Sequence, residues 1–320
     1  MTARVANWSF PRHRPQMYAP TSVGLQRVHR YYSFGRPLSR VARLALSAVL
    51  ATPGVRRLVS GRHELELPFD SATFHRIREA ITNVVEQNTW AVFQSAWHTQ
   101  RLIVFSFDRN SLCAGVTHVG PIHESLFHPS ASGDIVMVPK NLGITRVDEW
   151  ELHTLEAIPP WHRPHPWDAE RLSAIVADIE RIVANDIPKP SGGAADLVPI
   201  HGDLTPWNLR LAGTDSPWLF DWEWAGWGPV HSDLLRFAIA TCSLTMTRPE
   251  EIVAWIDVNV PMDRRELAPA ARYWLGHSVY QGLEAQIAAE GDQALVAEHT
   301  NGQVEAAALR ILAAGVPPPV

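Results

Sequence analysis

"HGDLTPWNLR", residues 201–210, sets a histidine, an aspartate and an asparagine within eight residues, between the apolar runs "DLVPI" (196–200) and "LRLA" (209–212). A "GTDSP" turn (213–217) and "WLFDWEWAG" (218–226) follow. The pattern predicts a loop between short strands, then a turn and a further strand that ends in two acids. Asp and Asn form strands poorly, which suits both to the loop. Their spacing carries the chemistry. Asn208 lies five residues after Asp203, and Asp221 lies thirteen after Asn208. Phosphoryl transfer from a nucleotide calls for such a set: one carboxylate to orient an attacking hydroxyl and take its proton, an amide oxygen and a second carboxylate to hold a divalent ion against the phosphates. Mg²⁺ keeps several waters and needs few hard oxygen ligands, so one Asn and one Asp suffice.

Working outward, Asp233 opens a region that reads as mostly helical, with faces such as Leu234, Leu235 and Ala238. Upstream, residues 168–184 place Leu172, Ile175, Val176, Ile179, Ile182 and Val183 on one helical face. "PPWHRPHP" (159–166) punctuates the chain and marks a boundary between lobes. Before it, "TWAVFQSAW" (89–97), "RLIVFSFD" (101–108) and "SLCAGVTHVG" (111–120) read as an antiparallel meander. "GDIVMVPKNLG" (133–143) reads as one more strand, whose Pro139 confines it to an edge or sends it out of the sheet. "EWELHTLEAI" (149–158) is a short element that pattern alone does not type. Ser71 is placed to cap a helix running to about Gln87, with Phe74, Ile77, Ile81, Val84 and Val85 at helical spacing. Residues 1–40, rich in Arg, Pro and Tyr, read as irregular.

The chain has 320 residues, 46% apolar and 19% charged, enough for a full core in one large domain or two lobes. Residues 1–63 hold eleven Arg and no Asp or Glu, whereas the remaining 257 carry 17 basic and 33 acidic side chains. No nucleic-acid-binding motif accompanies the basic arm, so folding back on the acidic body is expected rather than nucleic-acid binding. "LALSAVLA" (44–51) is a helix to be packed on the body; no stretch approaches the ~18 apolar residues of a membrane span. The two cysteines, Cys113 and Cys242, form no metal-binding or disulfide pattern, and a reducing cytoplasm fits them.

The protein-kinase signature H-R-D-L-x-x-x-N followed by D-F-G has the same His–Asp–Asn order and the same Asp-to-Asn spacing. Here it reads H-G-D-L-T-P-W-N followed by D-W-E. With Gly after His, and with "FDWEWAGWGPVHSDLLRFA" (220–238) downstream, the chain resembles the aminoglycoside phosphotransferase and choline kinase family of small-molecule kinases over about residues 148–240. The resemblance implies an α+β, protein-kinase-like two-lobe fold. A small antiparallel-sheet N-lobe (64–158) would follow the basic arm (1–63) and precede a larger, mainly helical C-lobe (159–320). It implies Asp203 as catalytic base, Asn208 and Asp221 as metal ligands, His201 as a loop-positioning residue and Asp233 as an acid bracing the loop. The implied cofactors are Mg²⁺ or Mn²⁺ with ATP or GTP as donor. Glu223 reads as a solvated acid at a strand end, and Trp207, Trp218, Trp222, Trp224 and Trp227 as core or interface.

The sheet lobe departs from the kinase pattern. The hairpin "FQSAWHTQR" (93–101) has no glycine where a kinase covers the phosphates with a glycine-rich turn. The position of the phosphate-pairing lysine on the third strand is taken by His118. Only Lys140 and Lys189 exist in the chain, and neither stands on that strand. His118 and Arg101 are therefore the candidate nucleotide contacts, and Glu124 in "PIHESLF" is a candidate partner for a cation. The expected activity is transfer of a phosphoryl group to a small-molecule hydroxyl, with a catalytically weak binding module as the alternative. An acidic helical lobe suits a cationic acceptor such as an aminoglycoside; sugars, nucleosides and amino alcohols remain open.

Overall fold

The computed structural model describes residues 4–10, 17–20, 60–87, 89–94, 101–110, 112–122, 127–160, 162–191, 196–212, 217–277 and 293–315, with scattered positions between 45 and 55. Two compact units emerge. One comprises Met1–Ser130, Pro139–Arg163 and Ala212–Asp215; the other comprises Ala131–Val138, Pro164–Leu211 and Ser216–Val320.

The first unit is built on an eight-stranded sheet. Its strands are β1 (Arg4–Phe10), β2 (Met17–Ala19), β3 (Gly61–Glu66), β4 (Thr89–Gln94), β5 (Leu102–Phe107), β6 (Cys113–Pro121), β7 (Asn141–Val147) and β8 (Trp150–Leu155), in the order β3-β1-β2-β4-β5-β6-β8-β7. The expected meander is β4-β5-β6, antiparallel throughout, with Trp90 opposite Ser106 and Val104 opposite Thr117. The element at 149–158 is a strand, β8, paired with both β6 and β7. Residues 1–40 are not irregular throughout: β1 and β2 lie there, and β1 pairs with β3 so that Arg4 stands opposite Glu66.

Helix α1 (Ser71–Val84) covers one face of this sheet. Its N-cap is Asp70, one residue before the serine expected there, because the extended Asp70 carboxylate accepts the Thr73 N–H at 2.8 Å. Ile77 and Ile81, four apart on one face, sink into a core with Leu102, Val104, Val119 and Leu152. Of the 44–51 helix little falls within the described residues; Leu50 is fully buried beside Phe105 and Phe107 on the other face of the sheet. Glu124 lies outside the described residues.

In the second unit, helix α2 (Ala169–Asp186) buries Leu172, Ile175, Ile179, Ile182 and Val183 as its spacing requires. Two antiparallel strand pairs follow: β9 (Leu197–Ile200) with β12 (Gly226–Pro229), and β10 (Leu209–Leu211) with β11 (Pro217–Leu219). Helices α3 (Ser232–Ser243), α4 (Pro249–Asn259), α5 (Arg264–Gly276) and α6 (Gln293–Ala313) follow among the described residues. Among the described residues no helix is long and apolar enough to cross a membrane. Cys113 and Cys242 are free thiols, each pushed up to about 12 by burial.

The 133–143 strand is the clearest correction. Only Asn141 onward is strand; residues 133–138 form a loop in the second unit, with Met137 in a single parallel bridge to Trp218. The cause is Asp178, fully buried in the middle of α2. Its Oδ1 accepts the Asp134 N–H at 3.1 Å, and its Oδ2 accepts those of Ile135 and Val136 at 2.8 Å each. One carboxylate thus takes three donors that a ladder would have used. Gly133 sits so close that a Cβ there would overlap the Asp178 carboxylate.

Removing Asp178 leaves those donors without their acceptor, at about 1–3 kcal/mol for each one that stays buried and unsatisfied. Asp178→Ala is expected to lower the urea midpoint by an amount equivalent to about 3 kcal/mol or more. Gly133→Ala disturbs the same contact, so the double variant should be less destabilised than the sum of the singles. Additive effects would show that the two residues act separately.

Candidate active site

Both strand pairs in the second unit feed the site. The chain leaves β9 at Ile200, runs through His201–Asn208 and enters β10; it leaves β11 at Leu219 and passes through Phe220–Ala225 into β12. Two loops therefore lie side by side. The Phe220 N–H donates to the Asn208 carbonyl at 3.3 Å, and the His201 ring spans the same gap. His201 Nε2 donates to the Phe220 carbonyl at 3.2 Å while its Nδ1 accepts the Asp203 N–H at 3.2 Å. That pattern fixes one neutral tautomer. Burial pushes the imidazole down to about 3, against the pull of its bond to Phe220.

The first turn of the loop is held by Asp233, in the first turn of α3. Its Oδ2 accepts the His201 N–H at 2.7 Å and its Oδ1 the Gly202 N–H at 3.2 Å. Gly202 has φ +83°, and a Cβ there would collide with the Trp224 carbonyl oxygen. Glycine is required on both counts. Burial pushes the Asp233 carboxyl up to about 7, although both N–H donors favour its charged form.

Asp203 and Asn208 are brought into direct contact. Asn208 Nδ2 donates to Asp203 Oδ2 at 2.9 Å and to the Asp203 carbonyl at 3.0 Å. With both N–H directions committed, the Asn208 amide turns its oxygen Oδ1 away from Asp203. Oδ1 accepts no hydrogen bond among the described residues. Asp203 Oδ1 in turn accepts from Arg236 Nε at 3.1 Å. Burial raises the Asp203 carboxyl above its ordinary value, and Arg236 and Asn208 oppose that rise. Asp221 lies two residues past β11, exposed, in the left-handed region at φ 69°, which Asp tolerates better than most residues.

One amide oxygen and one exposed carboxylate, on adjoining loops, are hard-oxygen groups of the kind Mg²⁺ takes alongside retained waters. Among the described residues no group of three His, Cys, Asp or Glu stands together at metal-binding distance.

His118 and Arg101 belong to the first unit. His118, on β6, stands between Ile103 and His153. Arg101 leans towards Gly120, two residues along the same face, its Cγ 3.7 Å from where a Cβ would lie. Burial first, then His153, His128 and Arg101, push His118 down to about 4, so it offers a neutral ring at pH 7. Of the tryptophans, Trp222 is buried against the His201 ring at 4.5 Å, Trp218 is buried, and Trp227 donates to the Ile187 carbonyl at 3.1 Å. Trp224 is exposed and edges against His277.

A protein-family model described as the phosphotransferase enzyme family matches residues 133–269, which include the whole 201–221 constellation. No curated protein matches the chain. Among solved structures, the amicoumacin kinase hAmiN in complex with AMP-PNP and Ca²⁺ is 10% identical, with TM-score 0.46, covering 74% of this chain and 93% of its own. The choline kinase LicA from Streptococcus pneumoniae is 11% identical, with TM-score 0.43, covering 74% and 99%. The spectinomycin phosphotransferase APH(9)-Ia bound to AMP is 10% identical, with TM-score 0.42, covering 73% and 97%. Likenesses at this level add nothing to what the loop and the family match already say.

Arg236 is the site residue that sequence reading missed. In "SDLLRFA" it looks like one polar position on an amphipathic helix; its partners lie 33 and 69 residues away in sequence.

His201 yields a pH test. The unfolded histidine gains its proton near pH 6.5, the folded one only near 3, so its contribution is complete above 6.5 and is lost as pH falls through that window. Asp233 slopes the other way: the native state holds its proton up to about 7 and the unfolded state only to about 3.8. A comparison of parent with His201→Asn isolates the first effect. The parent should lose about 1.4 kcal/mol more per pH unit than the variant on acidification below 6.5, read from urea unfolding. Parallel curves would mean that His201 is not held neutral.

Proposed function

We propose that the protein is an ATP- or GTP-dependent phosphotransferase that moves the terminal phosphoryl group to a hydroxyl of a small molecule. The observation that carries this reading is the Asp203 carboxylate, gripped at Oδ2 by Asn208 and at Oδ1 by Arg236, on a loop inside the phosphotransferase-family segment. The acceptor hydroxyl approaches Asp203, its oxygen bonds to the γ-phosphorus, and the bond from that phosphorus to the β-phosphate oxygen breaks. The hydroxyl proton passes to Asp203.

Asn208 Oδ1 and the Asp221 carboxylate are the groups that would hold Mg²⁺ or Mn²⁺. When bound, the ion supplies charge neutralisation at the phosphate oxygens. His201, Gly202 and Asp233 keep the loop in place without touching substrate. In the sheet lobe, Arg101 and the neutral His118 are the candidate nucleotide contacts. A lone arginine and an uncharged ring make weak substitutes for a lysine, so nucleotide binding is expected to depend on the ion. The family match favours an enzyme over a binding module. The charge of the acidic body suits a cationic hydroxyl compound such as an aminoglycoside, and sugars, nucleosides and amino alcohols are the other acceptor candidates. The cytoplasm, where nucleotide is supplied, is the compartment proposed.

Calorimetry and kinetics test the roles together. ATP should bind with Mg²⁺ and much more weakly with a chelator. Asp203→Asn should keep that binding and lower turnover by about 10²-fold or more, whereas Asp221→Asn should lose the metal-dependent part of binding. Loss of binding alone in both variants would show the two roles to be misassigned.

A further inference from the structure

Arg236 is an expensive residue to place where it is. Its side chain is 6% exposed, and it lies between two carboxylates: Nε donates to Asp203 Oδ1 at 3.1 Å and Nη1 to Glu305 Oε2 at 3.0 Å. Glu305 comes from α6 and is itself 9% exposed; its other oxygen accepts from Ser243 Oγ at 2.6 Å. The guanidinium also lies over the rings of Trp207 and Trp274, at 5.9 and 5.7 Å. Trp274 is in turn fixed by its Nε1–H bond to the Ser232 carbonyl at 2.9 Å.

Charge neutralisation alone does not explain this cluster. One carboxylate would balance one guanidinium, and a second buried acid adds a desolvation cost. What Glu305 adds is direction. A guanidinium is a planar fork, so fixing Nη1 on Glu305 fixes where Nε points. Asp203 Oδ1 is then held from α3, and its Oδ2 is held by Asn208 from within the loop. Rotation of the carboxylate about its last bond would break both contacts at once.

We propose that Arg236 is a positioning residue for Asp203: held by Glu305 of helix α6, it sets the plane of the carboxylate that receives the acceptor hydroxyl. This rests on the reading of Asp203 as the base. Sub-ångström orientation matters there, since a misplacement of about 1 Å can cost about 10²-fold in rate. Nucleotide binding, which does not use the Asp203 plane, is left alone by the same change.

The test uses the full chain with ATP and Mg²⁺, scoring nucleotide turnover with water or any active hydroxyl compound as acceptor. Arg236→Lys keeps the charge but loses the fork, and Glu305→Gln keeps Arg236 and Asp203 while weakening the anchor. Both should fold, keep KM for ATP and lose kcat by about 10- to 100-fold; Arg236→Gln should lose more than Arg236→Lys. Parental kcat in both Arg236→Lys and Glu305→Gln overturns the proposal. So does a fall in kcat that comes only with a matching rise in KM and drop in melting temperature, since that is general loosening. If the parent turns over no nucleotide, the phosphotransferase reading fails by itself. The clamp is then judged by unfolding of Asp203→Asn, Arg236→Gln and the double variant: non-additive destabilisation supports it, and additive effects overturn it.

Discussion

The oxygens of Asp233 accept the backbone N–H groups of His201 and Gly202, and the rest of the site hangs from those two bonds. β9 has ended by then, so neither donor has a ladder partner, and each would be a buried, unpaired group without this acid. Once the turn is pinned, the positive φ of Gly202 throws the chain back under the Trp224 carbonyl. The Asp203 N–H then meets the His201 ring, and the side chain of Asp203 meets Asn208. Asp233 sits in the first turn of α3, where the helix dipole favours a negative charge and offsets part of the cost of burial.

Asp178 does the same work elsewhere in the second unit. It takes three successive N–H groups from residues 134–136 and has Arg181 Nη2 at 2.7 Å on its Oδ1. The loop it holds then bridges to β11 through Met137, whose N–H donates to the Pro217 carbonyl at 2.8 Å and whose carbonyl accepts from Leu219 at 2.9 Å. Asp221, two residues beyond Leu219, thus begins from a strand fastened on its outer side. Two helical acids, each substituting for a missing strand partner, thus hold segments that lead to the loops bearing Asp203, Asn208 and Asp221.

Asp203, Asn208 and Asp221 could be singled out because they stand at fixed spacing along one short segment, and the contact of Asp203 with Asn208 follows from that spacing. The meander β4-β5-β6 and the buried face of α2 were legible because both follow simple periodicities. What escaped depends on partners distant in sequence. Residues 133–138 are apolar enough for a strand, and only Asp178, about forty residues on, withdraws their N–H groups. β1 and β2 lack a strand-like alternation, and their pairing with β3 and β4 supplies the order. Ser71 has capping chemistry, but Asp70 had it too, and the extended backbone at Asp70 decided between them. Arg236 was invisible because its meaning lies in Asp203 and Glu305 and in nothing adjacent to it.

The Glu305 anchor also has an order in time. Ribosomes make a chain from its N-terminus, so the 201–208 loop, its strands and α3 exist well before α6 has been made. A nascent chain halted between α5 and Glu305 carries Asp203, Asn208, Asp221 and Arg236 intact, yet its guanidinium answers to one carboxylate where the finished protein gives it two. In such an intermediate Asp203 is already held from the loop and from α3, while the orientation of Arg236 is completed only when α6 packs. The last contact of the cluster thus waits for the last described helix of the fold.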